Sequence, residues 1–137
     1  MLPMTRPDTE ARAGWRENWL SSIQEFADEQ AQRESWLNPQ NANPHYSFVE
    51  LMCTYFDGLG FSDEGYSRFE AEGLVSADEW AAVAQFHEVA DAYVSPTNDY
   101  DHASILGDPK WGLVVQSART AQTNLLSLLP MKRSEGL

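Results

Sequence analysis

Residues 47–60, SFVELMCTYFDGLG, decide the fold class of this chain. Their apolar side chains recur every three or four positions, which is the period of a helix with one buried face; these side chains are Phe48, Leu51, Met52, Tyr55, Phe56 and Leu59. Ser47 and Glu50 form a capping-box pattern, because each side chain can satisfy a backbone N–H at the helix start. Gly58 and Gly60 predict where the helix ends. The stretch is therefore an amphipathic helix that needs other helices to cover its apolar face.

The sequence before this stretch predicts one long helix and a loop. Over residues 9–37, apolar side chains again repeat at helical spacing; the stripe is formed by Trp15, Trp19, Ile23, Phe26 and Leu37. Residues 38–46 contain two prolines and three asparagines, which is typical of a loop. This loop separates the long helix from the one that follows.

Two further helices are predicted directly after the stretch. Ser62 is placed to cap a short helix, which Gly73 ends. Ser76 and Glu79 repeat the capping-box pattern and open a helix over residues 77–94. The apolar surface of that helix is wide, which indicates a central element with neighbours on more than one side.

The last part of the chain predicts a long loop and a final helix. Residues 95–110 form the loop, with one helical turn expected at residues 102–106. Loops of this length inside a domain are uncommon and often functional. Asp108 and Pro109 then open the last helix, since proline is well tolerated at the first helical position.

These elements together predict an all-α fold, an irregular bundle of about five helices. No segment alternates apolar and polar residues over the length of a strand. A length of 137 residues fits a single domain over residues 1–137. Residues 1–8 and 131–137 are expected to be loose termini.

Composition narrows the functional classes. Cys53 is the single cysteine, so an internal disulfide and every multi-cysteine metal site are excluded. We expect Cys53 to be a small buried residue at the edge of a helix face. Neither a signal-peptide pattern nor an apolar run of roughly 20 residues is visible. The expected location is therefore the cytoplasm, without membrane contact.

The negative charge is concentrated in the middle of the chain. Residues 47–109 contain thirteen acids and one base, Arg68, and this imbalance equals the net charge of −12 of the whole protein. Such a field disfavours direct nucleic-acid binding and favours a basic partner. The simpler interpretation is a well-solvated acidic surface, although ordinary surfaces intersperse both signs.

The first functional hypothesis is a small cytoplasmic module that docks a basic protein partner through this acidic surface. Immunity proteins and antitoxins that mask cationic nucleases share its size, charge and helicity, an analogy of class without a sequence match. No cofactor is expected. The residues predicted to contact the partner are Asp63, Glu64, Glu70, Glu72, Asp78 and Glu79.

The alternative hypothesis is a helical-bundle enzyme or a protein that binds a small ligand or a metal. His87 lies on the apolar stripe of its predicted helix, one turn before Asp91. Burial would lower the pKa of His87 and a nearby carboxylate would raise it, so His87 and Asp91 are the catalytic candidates. A buried histidine bonded to Asp91 or to a backbone carbonyl explains the same pattern without catalysis.

The long loop supplies the candidate metal ligands of this alternative. Asp99, Asp101 and His102 offer two carboxylates and an imidazole, which suit a divalent cation. The loop lacks the glycine and the final acid of a calcium-binding helix–loop–helix, so a solvated loop explains it equally. A third hypothesis is a homo-oligomer in which the wide apolar stripes pair across subunits.

Overall fold

The computed structural model describes residues 2–38, 40, 47–61 and 65–128, with the backbone alone for residues 2–9. Over these residues the chain forms seven α-helices and one π-helical turn, without strands, so the predicted all-α class is confirmed. The helices are α1 (Leu2–Ala27), α2 (Glu29–Trp36), α3 (Phe48–Cys53), α4 (Ser67–Ala71), α5 (Ala77–Ala92), α6 (His102–Leu106) and α7 (Pro109–Leu128). None of these helices is both long and apolar enough to cross a bilayer.

The three longest helices form the frame of the domain. α7 packs along both α1 and α5. Phe26 of α1 lies where they meet, because its ring centroid is 5.0 Å from that of Phe86 and 6.1 Å from that of Trp111. All three rings are buried, so the core is an aromatic cluster at the junction of the long helices.

A π-helical turn, Thr54–Gly58, continues α3 and closes the core on another side. The Leu59 N–H donates to the Thr54 carbonyl at 3.1 Å, which is the i to i+5 bond of a π turn. Tyr55 of this turn packs edge-on against Phe26 and Phe86. Gly60 follows with φ +93°, a conformation that favours glycine and ends the helix. Turns of this kind occur frequently at functional sites.

The single long helix predicted over residues 9–37 is wrong at one point. Asp28 leaves the helical conformation, and its carboxylate accepts the Ala31 N–H at 3.0 Å, which starts α2. The buried Gln32 side chain donates to the carbonyls of Glu25 and Phe26 at the end of α1. The break therefore leaves both new helix ends satisfied. At its other end α1 begins at Leu2, where a loose lead was expected.

α5, α6 and α7 follow their predictions closely, whereas α4 is shorter than predicted and begins only at Ser67. α5 has the capping box between Ser76 and Glu79 and ends at Ala92, two residues before the predicted limit. The predicted turn at 102–106 and the helix from Pro109 are both present. The proposed Ser62 cap and the tail at 131–137 lie outside the described residues. The prediction of a buried Cys53 is wrong, since this cysteine is exposed.

Candidate functional site

His87 lies half-buried on α5 within a ring of aromatic side chains. Five ring centroids are 5.0–5.9 Å from that of the imidazole; they belong to Tyr55, Phe56, Phe61, Tyr66 and Trp80. The π turn supplies two of these rings, so the local widening of the helix helps to build the surroundings of His87.

A chain of hydrogen bonds runs from His87 into the core. The Trp19 indole N–H donates to the Tyr66 hydroxyl at 2.7 Å. The hydroxyls of Tyr66 and Tyr55 are 2.6 Å apart, and the Tyr55 hydroxyl lies 2.9 Å from Nδ1 of His87. Trp19, Tyr55 and Tyr66 are all buried.

The direction of this chain follows from counting hydrogens. Each tyrosine hydroxyl has one hydrogen to donate, and the indole N–H can only donate. If Tyr66 donates to Tyr55 and Tyr55 donates to Nδ1 of His87, every buried hydrogen has an acceptor. The reverse order leaves the Tyr66 hydrogen without one, which is costly in a core. His87 is therefore neutral with its hydrogen on Nε2, which faces Gly65.

This protonation state argues against His87 as a general base. Its ring lone pair is on Nδ1 and accepts from the buried Tyr55, while Nε2, which lies near Gly65, already has a hydrogen. Burial lowers the pKa of His87, and the carboxylates of Asp91 and Glu88 act in the opposite direction. Among the described residues, His87 is hydrogen-bonded to Tyr55, and Asp91 acts on it through its charge.

His102 connects two helices of the bundle. Its Nδ1 lies 3.3 Å from the carbonyl of Trp36 at the end of α2, and its Nε2 accepts the N–H of Phe48 at the start of α3. Because the backbone N–H can only donate, Nε2 is the acceptor and Nδ1 has the hydrogen. Both nitrogens are thus engaged in holding together the ends of the predicted 38–46 loop.

The two acids proposed as metal ligands are engaged in local structure. The Asp101 carboxylate accepts from the backbone N–H and the hydroxyl of Ser104, which caps α6 and lowers the pKa of Asp101. Asp99 accepts the hydroxyl of Ser95 at 2.7 Å. Over the described part of the chain, no three His, Cys, Asp or Glu side chains are close enough to hold a metal ion. His87 and His102 also contact different aromatic rings, so the structure does not bring the two candidate clusters together.

The predicted docking acids separate into three groups. Glu79 is buried and forms an ion pair with Arg16 at 2.7 Å, so it is an internal residue and not a docking residue. Glu70, Glu72 and Asp78 are exposed, and Glu72 lies 3.7 Å from Arg68. Asp63 and Glu64 lie outside the residues that the structure describes.

A cleft of about 290 Å³ lies between α1, α2 and α3, and sequence reasoning missed it. Three carboxylates line it, from Glu25, Asp28 and Glu50, together with the ring of Trp36. No arginine or lysine of the described residues is among its walls. Partial desolvation raises the pKa of Glu25, so its ionised form is incompletely solvated there.

The acids of the cleft continue along the outer face of α3. The pKa of the Cys53 thiol is raised by desolvation and then by the carboxylates of Asp57 and Glu50, which places both near this cysteine. Phe56, beside Asp57, packs on His87 with ring centroids 5.5 Å apart.

Two further acids, Asp91 and Glu88, lie on α5 beside His87. Asp91 and Glu88 act on His87, and Asp91 also acts on Tyr55, whose pKa is raised first by its burial. We call these six acids together the acidic band; its members are Glu25, Asp28, Glu50, Asp57, Glu88 and Asp91. Four members are exposed, while Asp28 and Glu50 are partly buried.

Comparison with protein-family models, with curated proteins and with solved structures finds no match for this chain.

Proposed function

We propose that this protein is a small cytoplasmic binding module that docks a basic protein partner through the acidic band. The observation that supports the proposal is the convergence of acids from α1, α2, α3 and α5 around one cleft and one helix face. A surface of one sign attracts a partner of the opposite sign and raises the rate of association. The same field repels nucleic acid.

Three arginines of the described residues form ion pairs with acids outside the band. Arg16 is paired with Glu79, Arg33 with Glu29, and Arg68 with Glu72. The partial desolvation of Glu25 adds to this argument, because a cation from a partner would stabilise its ionised form.

Aromatic rings in the band offer contact area to the side chains of a partner. Trp36 lines the cleft, and Phe56 lies between Asp57 and His87; both are partly exposed. Lysine and arginine have long apolar stems below their charge, and these stems pack well on aromatic faces. A cleft of about 290 Å³, at the lower end of ligand pockets, suits a single side chain of this kind.

The position of two acids on α5 favours a role outside folding. Glu88 and Asp91 lie near the end of α5, where the helix dipole is unfavourable to negative charge, and the last turn contains no base. Asp78 and Glu79 lie at the start of the same helix, where negative charge is favoured. Because the helix dipole disfavours negative charge at this end of α5, the presence of acids there indicates a function that retains them.

The alternative of an enzyme or a metal-binding protein has less support. The lone pair of His87 points into the core, and both nitrogens of His102 are engaged in helix contacts. The two candidate clusters also lie among different aromatic rings. Neither cluster presents a free base or an assembled set of ligands.

Binding of a labelled oligolysine peptide at low salt, followed by fluorescence anisotropy, tests the proposal. The band variant combines Glu25→Gln, Glu50→Gln and Asp91→Asn. Each exposed charge contact contributes about 0.2–1 kcal/mol, so we expect the affinity to fall by about tenfold. The substitutions keep the size of the original side chains and one acceptor oxygen of each.

A matched control removes the same charge elsewhere, through Glu70→Gln, Glu72→Gln and Asp78→Asn. The control should weaken binding clearly less than the band variant does. Equal weakening by both variants would show that net charge alone attracts the peptide, which overturns the assignment to the band. A wild-type protein that does not bind oligolysine at low salt would overturn the docking of a basic partner.

A further inference from the structure

The hydrogen-bond chain described above connects a half-exposed histidine with the centre of the core. Its four members come from four separate parts of the chain: Trp19 from α1, Tyr66 from the turn before α4, Tyr55 from the π turn and His87 from α5. Trp19 and Tyr55 have no exposed surface, and Tyr66 is 2% exposed. A change in the protonation of His87 can therefore affect buried side chains that solvent does not contact.

The chain has a single order of donors while His87 is neutral with its hydrogen on Nε2. Hydrogens point from Trp19 to Tyr66, from Tyr66 to Tyr55, and from Tyr55 to Nδ1 of His87. A proton taken from solvent would occupy Nδ1, since Nε2 already has its hydrogen. Nδ1 would then donate to Tyr55, and the Tyr55 hydroxyl would turn to donate to Tyr66. The Tyr66 hydroxyl would then accept two hydrogen bonds, and its own hydrogen would be left without an acceptor.

We propose that this chain is a proton-sensitive switch, in which protonation of His87 reverses the Tyr55 hydroxyl and changes the hydrogen bond at Trp19. Among the residues that the structure describes, the charged and titratable groups that face His87 are Asp91 and Glu88 on its own helix, and the hydroxyls of Tyr55 and Tyr66. The carboxylates favour the protonated form, and the stranded Tyr66 hydrogen opposes it. The switch goes beyond the docking function and does not depend on it.

The indole N–H of Trp19 reports the state of the chain directly. We would follow the ¹H–¹⁵N resonances of the tryptophan indoles and of the His87 imidazole in the full protein, from about pH 5 to pH 8. The Trp19 resonance should shift along one titration curve, with the same midpoint as the imidazole. Trp19 has no ring contact with His87 among the described residues, whereas the Trp80 ring centroid is 5.9 Å away. Trp80 therefore serves as the control for a direct effect through space.

Two variants distinguish an effect transmitted through the hydrogen-bond chain from a direct effect of the charge on His87. In Tyr55→Phe the shift of Trp19 should be lost, while that of Trp80 persists because His87 still titrates. His87→Asn keeps an acceptor oxygen near the position of Nδ1, so Trp19 should remain at its alkaline position at every pH. This second variant replaces a partly exposed residue and decides the question if Tyr55→Phe does not fold.

Three results would overturn the switch. The first is a Trp19 resonance that stays constant in the wild type while the imidazole titrates. The second is a shift of Trp19 that is unchanged in Tyr55→Phe. The third is a shift of Trp19 that persists in His87→Asn, because Trp19 would then sense a different group.

Discussion

At the scale of single residues, Arg16 and Glu79 join α1 to the start of α5. The Glu79 carboxylate accepts two hydrogen bonds from Arg16 at 2.7 and 2.9 Å, and it also accepts the backbone N–H of Ser76. Only 10% of the Glu79 side chain is exposed, against 27% for Arg16. The hydrogen bond to Glu79 is the largest cause of the raised pKa of Arg16. One acid therefore serves both the helix cap and the contact between helices.

Glu79→Ala should lower the free energy of unfolding by about 2–3 kcal/mol, between the values for exposed and fully buried ion pairs. Glu79→Gln keeps the acceptor for Ser76 and should cost less, about 1–2 kcal/mol. Urea unfolding followed by circular dichroism measures both. Glu72→Ala is the control, since its pair with Arg68 is exposed and should contribute less than about 0.5 kcal/mol. Equal losses at Glu72 and Glu79 would contradict a structural role for the buried pair.

His87 gives a pH dependence whose sign follows from its environment. Burial lowers its pKa in the folded state below the value of about 6.5 that it has in the unfolded chain. The unfolded state therefore binds a proton first as the pH falls, and stability is lost below about pH 6.5, down to the folded pKa. Above about pH 6.5 the contribution of His87 to the free energy of unfolding is fully present.

His87→Asn should remove this part of the pH dependence. The difference in free energy of unfolding between wild type and variant should decrease as the pH is lowered from about 7.5 to about 5. Comparing the two proteins cancels the contribution of the many carboxylates. Parallel stability profiles over this range would contradict a lowered pKa of His87.

At the scale of elements, α5 has acids at both ends, and the helix dipole predicts opposite effects for them. Asp91→Asn removes a negative charge from the end of the helix and should stabilise the protein by about 0.3–1 kcal/mol. Asp78→Asn removes one from the first turn and should destabilise it by a similar amount. Thermal unfolding at low salt measures both variants, which make the same chemical change. Shifts of the same sign would show that net charge outweighs the dipole.

The π turn is the element that the sequence did not reveal. The apolar spacing over residues 48–59 continues without interruption, so it predicts an ordinary helix to its end. The break at Asp28 was hidden in the same way, because Trp19, Ile23, Phe26 and Leu37 keep a helical period across it. Periodicity reports which side of a helix is apolar, and a small change in helical winding leaves that pattern intact.

At the scale of the whole molecule, the net charge of −12 should make stability depend on salt. Raising the ionic strength from about 0.01 M to about 0.5 M shortens the range of charge repulsion. We therefore expect the Tm to rise with added sodium chloride. The band variant with three charges removed should gain less. A Tm that falls with salt would indicate that ion pairs outweigh the self-repulsion.

The distribution of charge along the sequence predicted the sign of the surface charge, but not which residues form the acidic band. Thirteen acids over residues 47–109 indicated an acidic surface, but they also included Glu79, which is internal. Glu25 and Asp28 lie outside that stretch and yet line the cleft with Glu50. A linear count of charges contains no information on which helices become neighbours, so it could not identify the members of the band.

The all-α class, the capping of α5 and the start of α7 could be predicted from the sequence, because these depend on local spacing and on side chains within a few residues. The pairing of Glu79 with Arg16, the contacts of His102 with α2 and α3, and the bond between His87 and Tyr55 could be seen only in the folded chain. The partners in these contacts are 32 to 66 residues apart along the chain. Contacts over such separations depend on how the helices pack, and a local pattern in the sequence does not specify that packing.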